Sequence, residues 1–219
     1  MTSPTAREAV LSRLRAAHGA SPGHEATGRN AWSAPELPPA QRLETLIERL
    51  RAVRAEVLCV PEADWPEALR ELLAKKRPES LAFGPGAWFA PTLAGLLAEA
   101  DMPRPLPYDR PLETFKDDLF KADAALTAAR AGIAENGSLL LTPDGREARL
   151  LSLVPPLHVV LLRASDVLST FAQALELLAR ETMPPNALLV SGPSKTADIE
   201  LTLAFGVHGP RELVVLLLE

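Results

Sequence analysis

Apolar and polar positions along the chain repeat with two different periods. Val10, Leu14 and Ala17 share one face of a helix predicted over 1–18. Leu43, Leu46, Ile47, Leu50 and Val53 recur at helical spacing and predict an amphipathic helix that starts near Pro38. A helix follows over 64–74, with Asp64 as its cap and Pro66 in its first turn. Others are expected over 88–98, from Pro111 through Leu112, Phe115 and Leu119, and over 166–180, the last buried through Leu168, Phe171, Leu175 and Leu178. One or two helical turns are expected over 198–203.

Between these helices lie short runs that are apolar on both faces, over 57–60, 80–83, 138–142, 157–162, 187–190 and 213–218. An extended stretch covers 103–108, and the alanines of 124–133 suit a strand or a helix equally. Buried strands alternating with amphipathic helices imply an α/β fold, a mostly parallel sheet with helices on both faces. Residues 19–39 are rich in Gly, Pro, Ser and Asn and read as a linker, with Trp32 as its packing anchor. The expected organisation is an N-terminal helical arm and linker over 1–39, then one α/β domain over 40–219.

Composition narrows the function classes. Hydrophobic residues at 47% and charged ones at 23% exclude wholesale disorder. Lys and Arg total 23 against 28 Asp and Glu, a net charge of −5, so nucleic acid is not an expected partner. The apolar run over 213–218 is far short of the roughly 20 residues of a membrane-spanning helix. The first residues lack the order of a secretory signal, so a cytoplasmic location is expected. Cys59 is the only cysteine. Alone it forms no internal disulfide and builds neither an iron–sulfur nor a zinc–thiolate site.

Ligands of open α/β sheets collect at the carboxyl ends of the strands. Four loops are expected there: Gly84-Pro85-Gly86, Glu135-Asn136-Gly137, the run Ser191-Gly192-Pro193-Ser194-Lys195-Thr196, and Gly206-Val207-His208-Gly209-Pro210. In the third, small hydroxyls, a lysine and backbone amides ahead of the helix expected at Asp198 make a candidate anion site. It is not a phosphate-binding loop of the Walker type, because Ser194 stands where that pattern needs glycine. The bland alternative is a helix start capped by Ser194 or Thr196. Asn136-Gly137 is a turn signal, and Glu135 beside it is a candidate nucleophile or base if its surroundings are dry. His208, between glycines, is a candidate ligand contact or base. His158 lies inside an apolar strand and reads as a core histidine. No metal-ligand spacing is present.

Several runs together carry a family likeness: Gly132-Ile133-Ala134-Glu135-Asn136-Gly137, the segment from Arg149 to Pro156 with His158, the segment from Ser191 to Glu200, and Gly206 to Pro210. Over residues 40–219 the chain resembles the lactate-utilisation protein C family, which is built on a single LUD domain. The resemblance implies a fold akin to ribose-5-phosphate isomerase, CoA transferases and formyltetrahydrofolate cyclo-ligase. It also implies a three-protein cytoplasmic system that oxidises L-lactate to pyruvate, in which two partner proteins carry the iron–sulfur clusters and this chain carries no cofactor. Glu135-Asn136-Gly137 matches the tripeptide whose glutamate forms the acyl–CoA thioester in family I CoA transferases. Many members of the lactate family carry threonine where Asn136 stands, and one chain supplies only one of the two lobes such transferases use.

The expected role is the cluster-free component of that system, binding a small anionic ligand. Gly84, Gly86, Asn136, Gly137, Ser191, Gly192, Ser194, Lys195, Thr196, Asp198 and Gly209 are the candidate contacts, and Glu135 and His208 the candidate catalytic groups. The alternatives are a stand-alone enzyme or binder of a phosphorylated or CoA-like ligand, and a scaffold in which all four loops are only caps and turns.

Overall fold

The computed structural model describes residues 6–20, 36–180, 184–197, 203–205 and 209–219. In chain order its first elements are α1 (Ala6–Ala20), α2 (Pro39–Ala52), β1 (Glu56–Val60), α3 (Trp65–Lys76), β2 (Ser80–Phe83), α4 (Ala90–Leu97), β3 (Arg104–Pro107) and α5 (Leu112–Leu119). Then come β4 (Ala124–Ala128), β5 (Ala131–Ile133), β6 (Ser138–Leu141), β7 (Leu157–Arg163), β8 (Val167–Leu168), α6 (Phe171–Arg180), β9 (Leu188–Val190), β10 (Lys195–Ala197), β11 (Leu203–Phe205) and β12 (Glu212–Leu218). Two units divide the chain, 1–33 and 34–219. In the first, α1 leaves Val10 and Leu14 exposed. The second starts ahead of Ala40, because the Leu37 N–H donates to Ser169 Oγ at 2.9 Å and ties that segment to the domain.

The runs apolar on both faces form a six-stranded parallel sheet in the order β1-β12-β7-β4-β2-β3. Alternate residues of β12 serve opposite faces, which is why the run has no polar member. Val214, Leu216 and Leu218 pack with α3 and α4, while Leu213, Val215 and Leu217 pack with α2 and a second sheet. Phe115 and Leu119 of α5 extend that second layer over Ala82 and Ala125. The α/β architecture with both faces covered is therefore present. Prolines cluster where their missing N–H costs nothing: in the first turns of α2, α3 and α4, and in the edge strand β3.

Several local expectations are corrected. The segment 124–133, left open between strand and helix by its alanines, is strand twice over, and β5 leaves the main sheet to form a mixed four-stranded sheet, β8-β5-β6-β9. The helix expected from 166 starts at Phe171, after Val167 and Leu168 pair with Gly132 and Ile133. Its start is a capping box. The Gln173 N–H donates to Thr170 Oγ1 at 3.2 Å, and Gln173 Oε1 accepts from the Ser169 and Thr170 N–H groups. That register turns Ala174 and Leu178 inward and leaves Phe171 and Leu175 exposed. The turns expected over 198–203 fall on residues 198–202, outside the described residues, and Leu203 opens a strand that pairs antiparallel with β10. Asp64 sits at the start of α3 without a side-chain capping bond. The helix expected over 88–98 begins at Ala90, with Trp88 in the preceding turn. Among the described residues no helix is long and apolar enough to cross a membrane.

Candidate functional site

The connection after β2 leads outward to the edge strand β3, and the connection after β4 leads the other way, to β7. Beyond the carboxyl ends of β2 and β4 the two connections therefore diverge, and a crevice opens there as it does in other doubly wound sheets. A cavity of about 270 Å³ occupies this switch point, at the lower end of the range of small-molecule sites. Gly86 and Trp88 from the loop after β2, Thr127 and Ala128 at the end of β4, Arg163 at the end of β7, and the segment 141–148 after β6 line it.

The floor is built by a tight turn. Asp144 Oδ1 accepts the N–H groups of Arg146 and Glu147, and the Asp144 N–H donates to the Glu147 carbonyl at 3.1 Å. These bonds and the neighbouring Arg146 hold the Asp144 carboxyl below its ordinary value, although burial opposes them. The turn sends Glu147 back beneath β4, where its Oε1 accepts the Ala128 N–H at 2.8 Å. Burial pushes the Glu147 carboxyl up to about 7, and Asp144 adds to the rise. Arg163 lies over the Trp88 ring at 4.3 Å and donates to Glu62 at 2.7 Å. Arg130 and Arg146 complete the basic lining. Three arginines thus share the cavity with Asp144, Asp166 and a glutamate that stays protonated up to about neutral pH.

Gly84 and Gly86 carry this site by close approach. A Cβ on Gly84 would sit 1.9 Å from the Arg146 carbonyl oxygen, and one on Gly86 2.9 Å from the Arg146 side chain. Gly86 lines the cavity and Gly84 abuts its Arg146–Glu147 wall; the other residues singled out from sequence lie elsewhere or outside the described residues. Glu135, Asn136 and Gly137 form the turn between β5 and β6. The Glu135 carboxylate accepts the Phe171 N–H at 2.7 Å and so caps α6. Asn136 Oδ1 accepts from the Ser138 hydroxyl, and Gly137 has φ +65° against Arg49.

The sequence reading puts all four loops at the carboxyl ends of the strands, but their described residues do not share one end of the sheet. The Ser194 N–H donates to the Pro210 carbonyl at 2.8 Å, and the Arg211 and Glu212 N–H groups donate to Pro156. Pro156 and Glu212 stand at the starts of β7 and β12, so Ser194 and Gly209 lie at the amino end, opposite the cavity. Ser191 and Gly192 follow β9 of the second sheet, and Lys195 and Thr196 belong to β10. Asp198 and His208 fall outside the described residues. At that end Pro193 borders a second cavity, where Lys76 is held by Glu56 and Glu212.

His158 is fully buried as expected, with Nε2 2.8 Å from Thr127 Oγ1. No cluster of three or more His, Cys, Asp or Glu placed to hold a metal occurs among the described residues. Sequence reading missed Thr127, Glu147 and Arg163. The Pro143-Asp144-Gly145 turn signal was the available pointer, since it follows a strand and precedes an arginine and a glutamate.

The chain is 37% identical over 179 residues to an uncharacterized protein of Neisseria meningitidis serogroup B, covering 80% of this chain and 76% of that one. It is 30% identical over 221 residues to Lactate utilization protein C of Deinococcus radiodurans, covering 98% of each. The crystal structure of a DUF162 family protein from Deinococcus radiodurans superposes with a TM-score of 0.61 at 24% identity, over 84% of this chain and 99% of that one, and supports the fold. Since residues 43–218 match the LUD domain and one relative is alike from end to end, the chain belongs to the LUD domain family.

Proposed function

We propose that this protein takes part in lactate utilisation and holds a small 2-hydroxy or 2-oxo monocarboxylate in the switch-point cavity. The likeness to the Deinococcus radiodurans lactate utilization protein C over 98% of both chains carries the pathway reading. The cavity's lining supports the ligand class. A guanidinium fork matches a carboxylate, and Arg130, Arg146 and Arg163 are in place to supply one. Glu147, with its carboxyl raised to about 7, takes the proton of a 2-hydroxyl or returns it to a 2-oxo oxygen.

Turning a 2-hydroxy acid into a 2-oxo acid also breaks the C2–H bond, which releases a second proton to solvent and an electron pair. Cys59 alone cannot hold a cluster, so in this reading the electrons pass to iron–sulfur proteins of a lactate-oxidising system. The loop with Ser194, Lys195 and Thr196, together with His208, is the competing anion site.

Calorimetric titration of the full chain with L-lactate and pyruvate tests the reading, using Arg163→Met and Lys195→Ala. Binding that is lost in Arg163→Met and kept in Lys195→Ala supports the cavity. The reverse moves the ligand to the loop. Tight binding of a phosphate or CoA ester, with none of lactate or pyruvate, replaces this reading with the stand-alone alternative. Failure to retain iron–sulfur proteins in a pull-down removes the partner.

A further inference from the structure

Thr127 lines the switch-point cavity from the last turn of β4's pleat, and its hydroxyl makes one side-chain hydrogen bond among the described residues, to His158. His158 is completely buried on β7, flanked in register by Ala125 of β4 and Leu213 of β12. Its Nδ1 has no partner among the described residues. Burial pushes the imidazolium down to about 3, so the ring is neutral at physiological pH.

A neutral imidazole carries a single N–H, on one nitrogen or the other. With the proton on Nδ1, a buried N–H has no acceptor among the described residues, and Nε2 consumes the only proton of the Thr127 hydroxyl. With the proton on Nε2, the N–H donates to Thr127 Oγ1, and Nδ1 keeps only a bare lone pair. A buried N–H without an acceptor is the rarer and costlier defect. The Nε2–H tautomer is therefore favoured, and it leaves the threonine's own proton free to turn into the cavity.

We propose that His158 is a positioning residue that donates to Thr127, so that the Thr127 hydroxyl presents a hydrogen-bond donor to an oxygen of an anionic ligand in the cavity. The oxygen suited to it is that of a carboxylate or of a 2-oxo group beside one. The ligand class rests on the function proposed above, whereas the tautomer does not.

Nitrogen-15 NMR of the full chain labelled at histidine reads the tautomer directly, with His158→Gln identifying the signals. The expected result is a protonated, pyrrole-type Nε2 and a pyridine-type Nδ1 that do not change where ordinary histidines titrate. A protonated Nδ1 overturns the proposal. In pyruvate titrations Thr127→Val should bind about 10- to 100-fold more weakly, the worth of a hydrogen bond to a charged group. Thr127→Ser should stay close to the wild type. Equal affinity in Thr127→Val overturns the donor role. If the wild type binds neither pyruvate nor L-lactate, the proposed ligand class fails, and the tautomer still decides the pairing of His158 with Thr127.

Discussion

Glu147→Gln offers a stability test of the cavity that needs no ligand. Burial raises the folded carboxyl from an ordinary 4.5 to about 7. Below pH 4.5 the side chain is protonated in both folded and unfolded states and contributes no difference. Between 4.5 and 7 the unfolded chain ionises while the folded one keeps its proton, so the folded state binds more protons and stability falls as pH rises. Above about 7 the whole penalty is present, and at about 1.4 kcal/mol per pH unit it is on the order of 3 kcal/mol. Glutamine keeps an oxygen to accept the Ala128 N–H and cannot ionise. The variant should match the wild type in urea denaturation near pH 4.5 and exceed it progressively up to pH 8, by as much as that penalty. A difference that does not vary with pH, or a variant less stable at pH 8, would refute the buried carboxyl.

Two further substitutions probe the scaffold. Gly84→Ala places a Cβ 1.9 Å from a backbone oxygen that no rotamer change can move, so it should cost about 1–3 kcal/mol. An unchanged melting temperature would disprove the close approach of the two loops. Glu135→Ala removes the acceptor of the Phe171 N–H and should lower stability by about 1 kcal/mol, as loss of a helix cap does. Growth on lactate should persist; if it is abolished at unchanged stability, Glu135 is a chemical group after all.

Where the local signal was strong, sequence and structure agree. The run Leu213 to Leu218, apolar without a break, could only be a strand buried on both faces, and it became the second strand of the parallel sheet. Leu46 and Leu50 marked the buried face of α2 for the same reason. The start of α6 was misread: the Thr170 and Gln173 capping box was present in the letters, yet it was absorbed into a longer helix.

The site was less legible than the fold. Gly86 was found because its loop follows a buried strand, where ligands of open α/β sheets collect. Glu147 was not, because a glutamate in a polar turn looks solvated until the turn folds it under β4. The letters alone dictate the alternation of buried strands and amphipathic helices, and with it the fold class; the lone Cys59 separately leaves no cysteine set for a cluster. Strand order was decided only in three dimensions. By setting β4 between β2 and β7 it opened the crevice, placed Thr127 before His158, and sent Ser194 and Gly209 to the opposite end. Side-chain period follows from local stereochemistry, whereas the environment that shifts a proton or shelters a ligand comes from residues far apart in the chain.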